Sequence, residues 1–346
     1  MDISKIDNNF SVRCGVASKK DIRFYSIEEE PFKIYGIFKE NGLFRRMPEE
    51  VAKKVSEGVY CLHTNTAGGR VRFRTDSPYI AIRTEMCGIG KMPHFALAGS
   101  AGFDLYADNV YVNTYVPPFN IENGYDDCID IGSNGIRDIT VNFPLYSNVK
   151  ALYIGLSEGA KIEAPTPYSI EKPVVFYGSS ITQGGCASRP GTSYESIVSR
   201  FFDCNYINLG FSGNARGEDE MTDYIKSLDM SVFVLDYDHN APNEDHLRAT
   251  HEKMFLEIRK NHPTLPIIIM SRPKQLLNKW ELERLEIITQ TYKNALSRGD
   301  KNVYLLTNRE LTALCGNEGT VDNCHPTDFG FASMAQALIS VLNKIL

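Results

Sequence analysis

No apolar run in this chain approaches the roughly 18–20 residues that a membrane-spanning helix needs. No cluster of Lys and Arg longer than a pair occurs, and the formal net charge is -6. The basic patch expected of a nucleic-acid binder is therefore missing, and the acidity reads as a solubility feature. The eight cysteines (Cys14, Cys61, Cys87, Cys128, Cys186, Cys204, Cys315 and Cys324) never form a C-x-x-C pair. That excludes the usual zinc spacings, and the thiols are expected to be free and mostly packing, with disulfides left open. The N-terminal stretch MDISKIDNNFSVRCG is polar and lacks the basic-then-apolar pattern of a secretory leader. The expectation is a cytoplasmic protein, or a secreted or periplasmic one whose leader preceded this numbering.

What remains is ordinary globular composition, 42% hydrophobic and 23% charged, in 346 residues. That length suits two domains. The two halves follow different patterns. Residues 70–86, RVRFRTDSPYIAIRTEM, alternate Val71, Phe73 and Thr75 against Arg70, Arg72 and Arg74, break at Asp76-Ser77-Pro78 and resume with Ile80 and Ile82. This predicts a half-buried hairpin whose arginines form a solvated face. Further short strands are expected within 94–118, with a tight turn at Ala107-Asp108-Asn109, and two more within 136–156. One helix is expected over 48–59. Many short strands with intervening turns predict an antiparallel β-sandwich over residues 1–165.

A Pro-bearing polar stretch, 163–173, reads as the linker. Beyond it the apolar runs 174–177, 205–209, 231–236, 266–270 and 302–306 alternate with helical patterns at 192–202, 218–228, 243–260, 279–298 and 328–345. Alternating strand and helix predicts an α/β domain over 166–346, a doubly wound parallel sheet with helices on both faces. Reactive groups in such sheets gather at the carboxyl ends of the strands.

The residues there are the ones acyl transfer needs. The first strand runs into Gly178-Ser179-Ser180, the second into Gly210-Phe211-Ser212-Gly213-Asn214, the third into Asp236-Tyr237-Asp238-His239-Asn240, and the last loop carries Asp322-Asn323-Cys324-His325. A serine hydroxyl is a poor nucleophile until a base takes its proton. The base in turn needs an orienting carboxylate, and Asp322 stands three residues before His325. The Ser180 and Gly213 N–H groups and the Asn240 amide offer three donors for an oxyanion.

These four blocks resemble the SGNH, or GDSL-type, hydrolases, with Ser180, Gly213, Asn240 and the D-x-x-H of Asp322 and His325 in family order. Gly102-Phe103-Asp104-Leu105-Tyr106 resembles the Gly-x-Asp-Leu-Tyr motif of the β-sandwich that precedes some of these domains. The resemblance implies a flavodoxin-like three-layer fold behind a jelly-roll-like domain. It implies a serine esterase acting on small acyl esters, O-acetyl groups of carbohydrates foremost, with no metal and no cofactor. Its partner would be a small-molecule or oligosaccharide ester rather than nucleic acid or membrane. Two departures matter: Ser179 stands where the family has aspartate, which makes it a rival to Ser180, and the third block reads DYDHNAP, which leaves Asn243 beside Asn240. Arg189, just after the nucleophile loop, is a candidate to hold a substrate oxygen or to make a surface contact. His239, His246 and His251, spaced seven and five apart, lack the spacing that puts two imidazoles on one helical face, and read as a loop and a solvated helix face. An inert carbohydrate-binding protein and a lipase of longer esters are the alternatives.

Overall fold

The computed structural model describes residues 3–7 and 15–346, so Cys14 lies outside the described residues. The other seven cysteines are free thiols.

Two antiparallel sheets form a sandwich-like first unit. Its elements are β1 (Ile22–Ser26), β2 (Lys33–Tyr35), β3 (Phe38–Glu40), β4 (Leu43–Arg45), α1 (Glu49–Val55), α2 (Glu57–Leu62), β5 (Arg70–Thr75), β6 (Tyr79–Cys87), α3 (Leu97–Ser100), β7 (Phe103–Ala107), β8 (Val110–Tyr115), β9 (Asp126–Asp130), β10 (Arg137–Asn142), β11 (Asn148–Ser157) and β12 (Ile162–Glu163). One sheet runs β1-β11-β6-β9 and the other β12-β5-β10-β7-β8, with β2 added on β5. Val71, Phe73, Leu105, Ile139 and Val141 of one sheet meet Ile80, Ile82, Leu152 and Ile154 of the other in a shared core. The β7–β8 turn forms as expected, with Asp108 and Asn109 both at positive φ (50° and 63°), the backbone a tight hairpin demands.

The expected hairpin over 70–86 does not form. β5 pairs with β10, β12 and β2, while β6 pairs with β11 and β9. Asp76-Ser77-Pro78 carries the chain from one sheet to the other. Period-2 alternation identifies a strand but says nothing of its partner. The expected helix over 48–59 is two short helices. Ser56 between them is extended (φ -172°), and its hydroxyl accepts the Val59 N–H at 3.2 Å as the cap of α2.

The second unit is a three-layer α/β domain: β13 (Ile170–Gly178), α4 (Tyr194–Phe202), β14 (Cys204–Gly210), α5 (Asp219–Lys226), β15 (Val232–Asp236), α6 (Glu244–Asn261), β16 (Ile267–Met270), α7 (Lys279–Ser297), β17 (Val303–Leu306), α8 (Asn308–Leu311) and α9 (Asp328–Leu342). The strands are parallel in the order β14-β13-β15-β16-β17, the flavodoxin-like order. Adjacent residues serve opposite faces. Val175, Tyr177, Phe233 and Leu235 pack with α5, α6 and α7. Val174, Phe176, Val232 and Val234 pack with α4 and α9. Burial on both faces explains why these strands read as continuous apolar runs. Strand order reverses at β13, so the crevice beyond its carboxyl end is the place where side chains from several loops converge.

The first unit docks on β14, the edge strand. Arg70 and Arg72 are buried there, 2% and 4% exposed, which corrects the solvated face expected of them. Arg70 donates to the Tyr168 hydroxyl (2.9 Å), the Asn205 side chain (2.6 Å) and the Tyr206 carbonyl (3.2 Å), and stacks 3.9 Å over the Tyr206 ring. Arg72 stacks 4.0 Å over Tyr168. The strand buries both faces, one in its own sandwich and the other against the partner unit. Only Arg74 of the three keeps solvent access, and it pairs with Glu163 and Asp138. Arg46 reaches across as well, donating to the Gly210 carbonyl (2.5 Å) while it also donates to the Leu62 carbonyl of its own unit (2.8 Å).

Candidate active site

β13 ends at Gly178, where a Cβ would overlap Thr182 Oγ1 and the Asp236 carbonyl oxygen, so only glycine fits the turn. The chain then folds back tightly: the Gln183 N–H donates to the Ser179 carbonyl (2.9 Å) and the Gly185 N–H to the Ser180 carbonyl (2.8 Å). This turn separates the two serines by role. Ser179 is fully buried, and its hydroxyl accepts the Ile181 N–H at 3.1 Å, so it is spent on the turn itself. Ser180 is 9% exposed, and its Oγ lies 2.9 Å from His325 Nε2.

His325 is held from behind. Its Nδ1 lies 2.7 Å from Asp322 Oδ2. The other carboxylate oxygen of Asp322 accepts the backbone N–H groups of Cys324 (3.0 Å) and His325 (2.7 Å), with Asn323 at φ 65° closing the turn. Burial alone would raise the Asp322 carboxyl. The hydrogen bonds from the His325 ring and from these two N–H groups outweigh it and hold the carboxyl below its usual range. A carboxylate on Nδ1–H leaves the Nε2 lone pair facing Ser180.

The second and third blocks sit beside this pair. Gly213 stands at φ 69° with nothing within 4 Å of where a Cβ would be, on a loop braced by Gln183, whose Oε1 accepts the Ser212 N–H (3.1 Å). Neither the Ser180 nor the Gly213 N–H donates to any protein acceptor among the described residues. Asn240 closes a turn that Arg284 holds through the carbonyls of Asp238 (2.7 Å) and Ala241 (2.8 Å). One amide hydrogen of Asn240 goes to the Phe211 carbonyl (3.1 Å), which ties block three to block two. Asn243, the rival amide, caps α6 by accepting the His246 N–H (2.8 Å).

Arg189 is engaged by the first unit. Its Nη1 pairs with Asp104 at 2.8 Å and donates to the Tyr106 hydroxyl at 2.5 Å, and its guanidinium lies 3.8 Å over the Tyr111 ring. Asp104 is fully buried and also accepts Asn142 Nδ2 (2.7 Å) and the Gly191 N–H (2.8 Å). The Asp and Tyr of Gly-Phe-Asp-Leu-Tyr thus clamp the loop that follows Ser180, and the contact Arg189 makes is with a fully buried carboxylate of the first unit rather than at the surface.

The three histidines near block three go separate ways. His239 Nδ1 faces Asp238 (2.7 Å), His246 Nε2 faces the Arg216 carbonyl (2.8 Å), and His251 Nδ1 faces Thr291 (2.9 Å). His251 is 1% exposed rather than on a solvated face, and burial pushes its imidazole down to about 4.

Residues of the first unit complete the site, and sequence reading missed them. Tyr146 donates to the Ser180 carbonyl at 3.1 Å, and burial keeps its phenol protonated. His94 approaches Asp322 Oδ2 at 3.7 Å, with its ring 5.8 Å from that of His325. Phe95 packs edge-on against Tyr146 at 5.2 Å. None of them lies in a motif, and their only signal is spatial.

No curated protein matches the sequence. Residues 171–343, half of the chain, match the model of the GDSL-like lipase/acylhydrolase family. Residues 22–162 match the GxDLY model, described as the N-terminus of the SGNH-hydrolase-type esterases. Among solved structures, the chain is similar to a protein from Bacteroides ovatus described as a GDSL-like lipase (27% identity, TM-score 0.83, covering 94% of this chain and 98% of that one). The salicylyl-acyltransferase of a tetracycline biosynthetic pathway shares the fold at 20% identity and TM-score 0.78, again over 94% and 98%. So does an acetyl xylan esterase from Butyrivibrio proteoclasticus, at 13% identity and TM-score 0.59 over 93% and 98%. The chain belongs to the GDSL-like, or SGNH, hydrolases, and carries the GxDLY-type domain at its N-terminal side.

Proposed function

We propose that the protein is a serine esterase that hydrolyses small acyl esters, foremost O-acetyl groups on a carbohydrate. Ser180 is the nucleophile, His325 the general base and acid, and Asp322 the orienting carboxylate. The observation that carries the reading is the unbroken relay from Ser180 Oγ to His325 Nε2 (2.9 Å) and from His325 Nδ1 to Asp322 (2.7 Å). In the first step Nε2 takes the Ser180 proton as Oγ bonds to the ester carbonyl carbon. The oxyanion that forms is received by the free N–H groups of Ser180 and Gly213 and by the Asn240 amide hydrogen not given to Phe211. Nε2–H then protonates the departing alcohol, leaving an acyl-serine. Water, deprotonated by the same nitrogen, releases the acid and restores the serine.

The carbohydrate part of the proposal draws on fold relatives such as the acetyl xylan esterase. It draws also on a pocket of about 490 Å³ beside the site, lined by Lys91, Met92, Pro93, Phe95, Leu97 and Phe119. Phe119 is 90% exposed, an apolar face of the kind that a sugar ring can cover. The first unit is thus the proposed platform for the alcohol portion.

Labelling with a small fluorophosphonate and peptide mapping tests the mechanism without a guess at the substrate. One adduct on Ser180, lost in His325→Ala, is expected. Folded protein that takes no label sinks the esterase reading and leaves the glycan-binding alternative. Asn240→Ala is expected to lower kcat by about 10²- to 10³-fold with little change in KM, the usual cost of one oxyanion donor. An unchanged kcat would remove Asn240 from the mechanism.

A further inference from the structure

His94, Cys186 and His325 come from three separate stretches of the chain and two structural units. Their ligand atoms nonetheless all lie within 4.8 Å of one another. Two imidazoles and one thiol form a donor set suited to Zn²⁺. Tetrahedral coordination with ordinary Zn–N and Zn–S bonds separates ligand atoms by about 3.4–3.6 Å. Shifts of about 1 Å would therefore close the cluster. His94 is free to make them: its side chain is 44% exposed, and its polar approach to Asp322 is 3.7 Å, longer than a hydrogen bond. Cys186 stands at φ 75°, immediately after the turn that carries Ser180. His325 already has the carboxylate partner that metal-bound imidazoles usually have, Asp322 on Nδ1, which leaves Nε2, 2.9 Å from Ser180 Oγ, as the nitrogen open to a metal.

We infer that His94, Cys186 and His325 form a binding site for Zn²⁺ that shuts the enzyme off by occupying the Nε2 lone pair of His325. Binding displaces the Cys186 thiol proton to solvent and involves no redox change. Three protein ligands leave a fourth position for water. An ion on Nε2 would hold the lone pair that takes the Ser180 proton, so metal binding and deprotonation of Ser180 would exclude each other. The metal site stands on the cluster geometry alone, and only its inhibitory consequence rests on the esterase reading.

The test uses the full chain. Zn²⁺ is titrated in competition with a chromophoric chelator. Co²⁺ is the spectroscopic probe, because thiolate ligation gives a charge-transfer band. One equivalent of metal is expected, with a thiolate band that Cys186→Ser abolishes. Cys186→Ser and His94→Ala should each weaken Zn²⁺ binding at least about 10-fold. Ester hydrolysis should fall as the site fills and return on adding EDTA, with the midpoint in Cys186→Ser displaced by the same factor as binding. No stoichiometric binding, or binding indifferent to both substitutions, overturns the site. Metal binding as described in a protein whose Ser180 takes no fluorophosphonate keeps the site and sinks the esterase. Labelling of Ser180 without metal binding does the reverse.

Discussion

Ser180→Ala is expected to lower kcat for a small acetyl ester by about 10⁴- to 10⁶-fold while leaving the folded protein intact, because relay members act as a unit and the nucleophile has no substitute. The informative comparison is Ser179→Ala. Ser179 is buried, and its hydroxyl accepts the Ile181 N–H. Its loss removes one hydrogen bond of the turn, worth about 1 kcal/mol of stability, and should change kcat by less than about tenfold. Steady-state kinetics of the two purified variants, with circular dichroism to check folding, decides between them. A dead Ser179→Ala beside an active Ser180→Ala would make Ser179 the nucleophile and overturn the relay proposed through Ser180.

Arg70→Ala is expected to be among the most damaging substitutions for stability, on the order of 3 kcal/mol or more. The guanidinium is buried between the two units, and its removal leaves the Asn205 side chain and the Tyr206 carbonyl without their donor and opens a cavity over the Tyr206 ring. Arg74→Ala, two residues along the same strand but partly solvent-exposed, should cost less than about 1 kcal/mol, the ordinary worth of a surface ion pair. Urea denaturation midpoints of the two variants measure the difference. Equal effects would mean that the docking of the two units contributes little to the stability of either.

The same strand shows where sequence reading ended. Alternation of Arg with Val and Phe over 70–75 identified a strand and its apolar face. It could not tell that the arginine face is buried as well, because what covers Arg70 is a strand more than 130 residues away and what covers Arg72 is Tyr168, beyond the end of the sandwich. The 70–86 hairpin failed for a related reason, since a turn signal at Asp76-Ser77-Pro78 does not name the sheet that each arm joins. In the second unit the reading went further. Each strand there is apolar on both faces and is followed by its own helix, so local pattern and final topology coincide. Ser180, Gly213, Asn240, Asp322 and His325 were visible for the same reason: each lies on the short loop after a strand, or before the last helix, where parallel topology brings such loops together.

The sequence by itself therefore determined the α/β architecture, the antiparallel character of the first unit and the blocks that carry the candidate chemistry, all of which are encoded within a few residues of chain. Tertiary structure alone decided that Asp104 holds Arg189, that Arg70 lies between the units, and that Tyr146, His94 and Cys186 stand around Ser180 and His325. Those contacts depend on the docking of two independently patterned units, and local periodicity carries no information about which of their faces will meet.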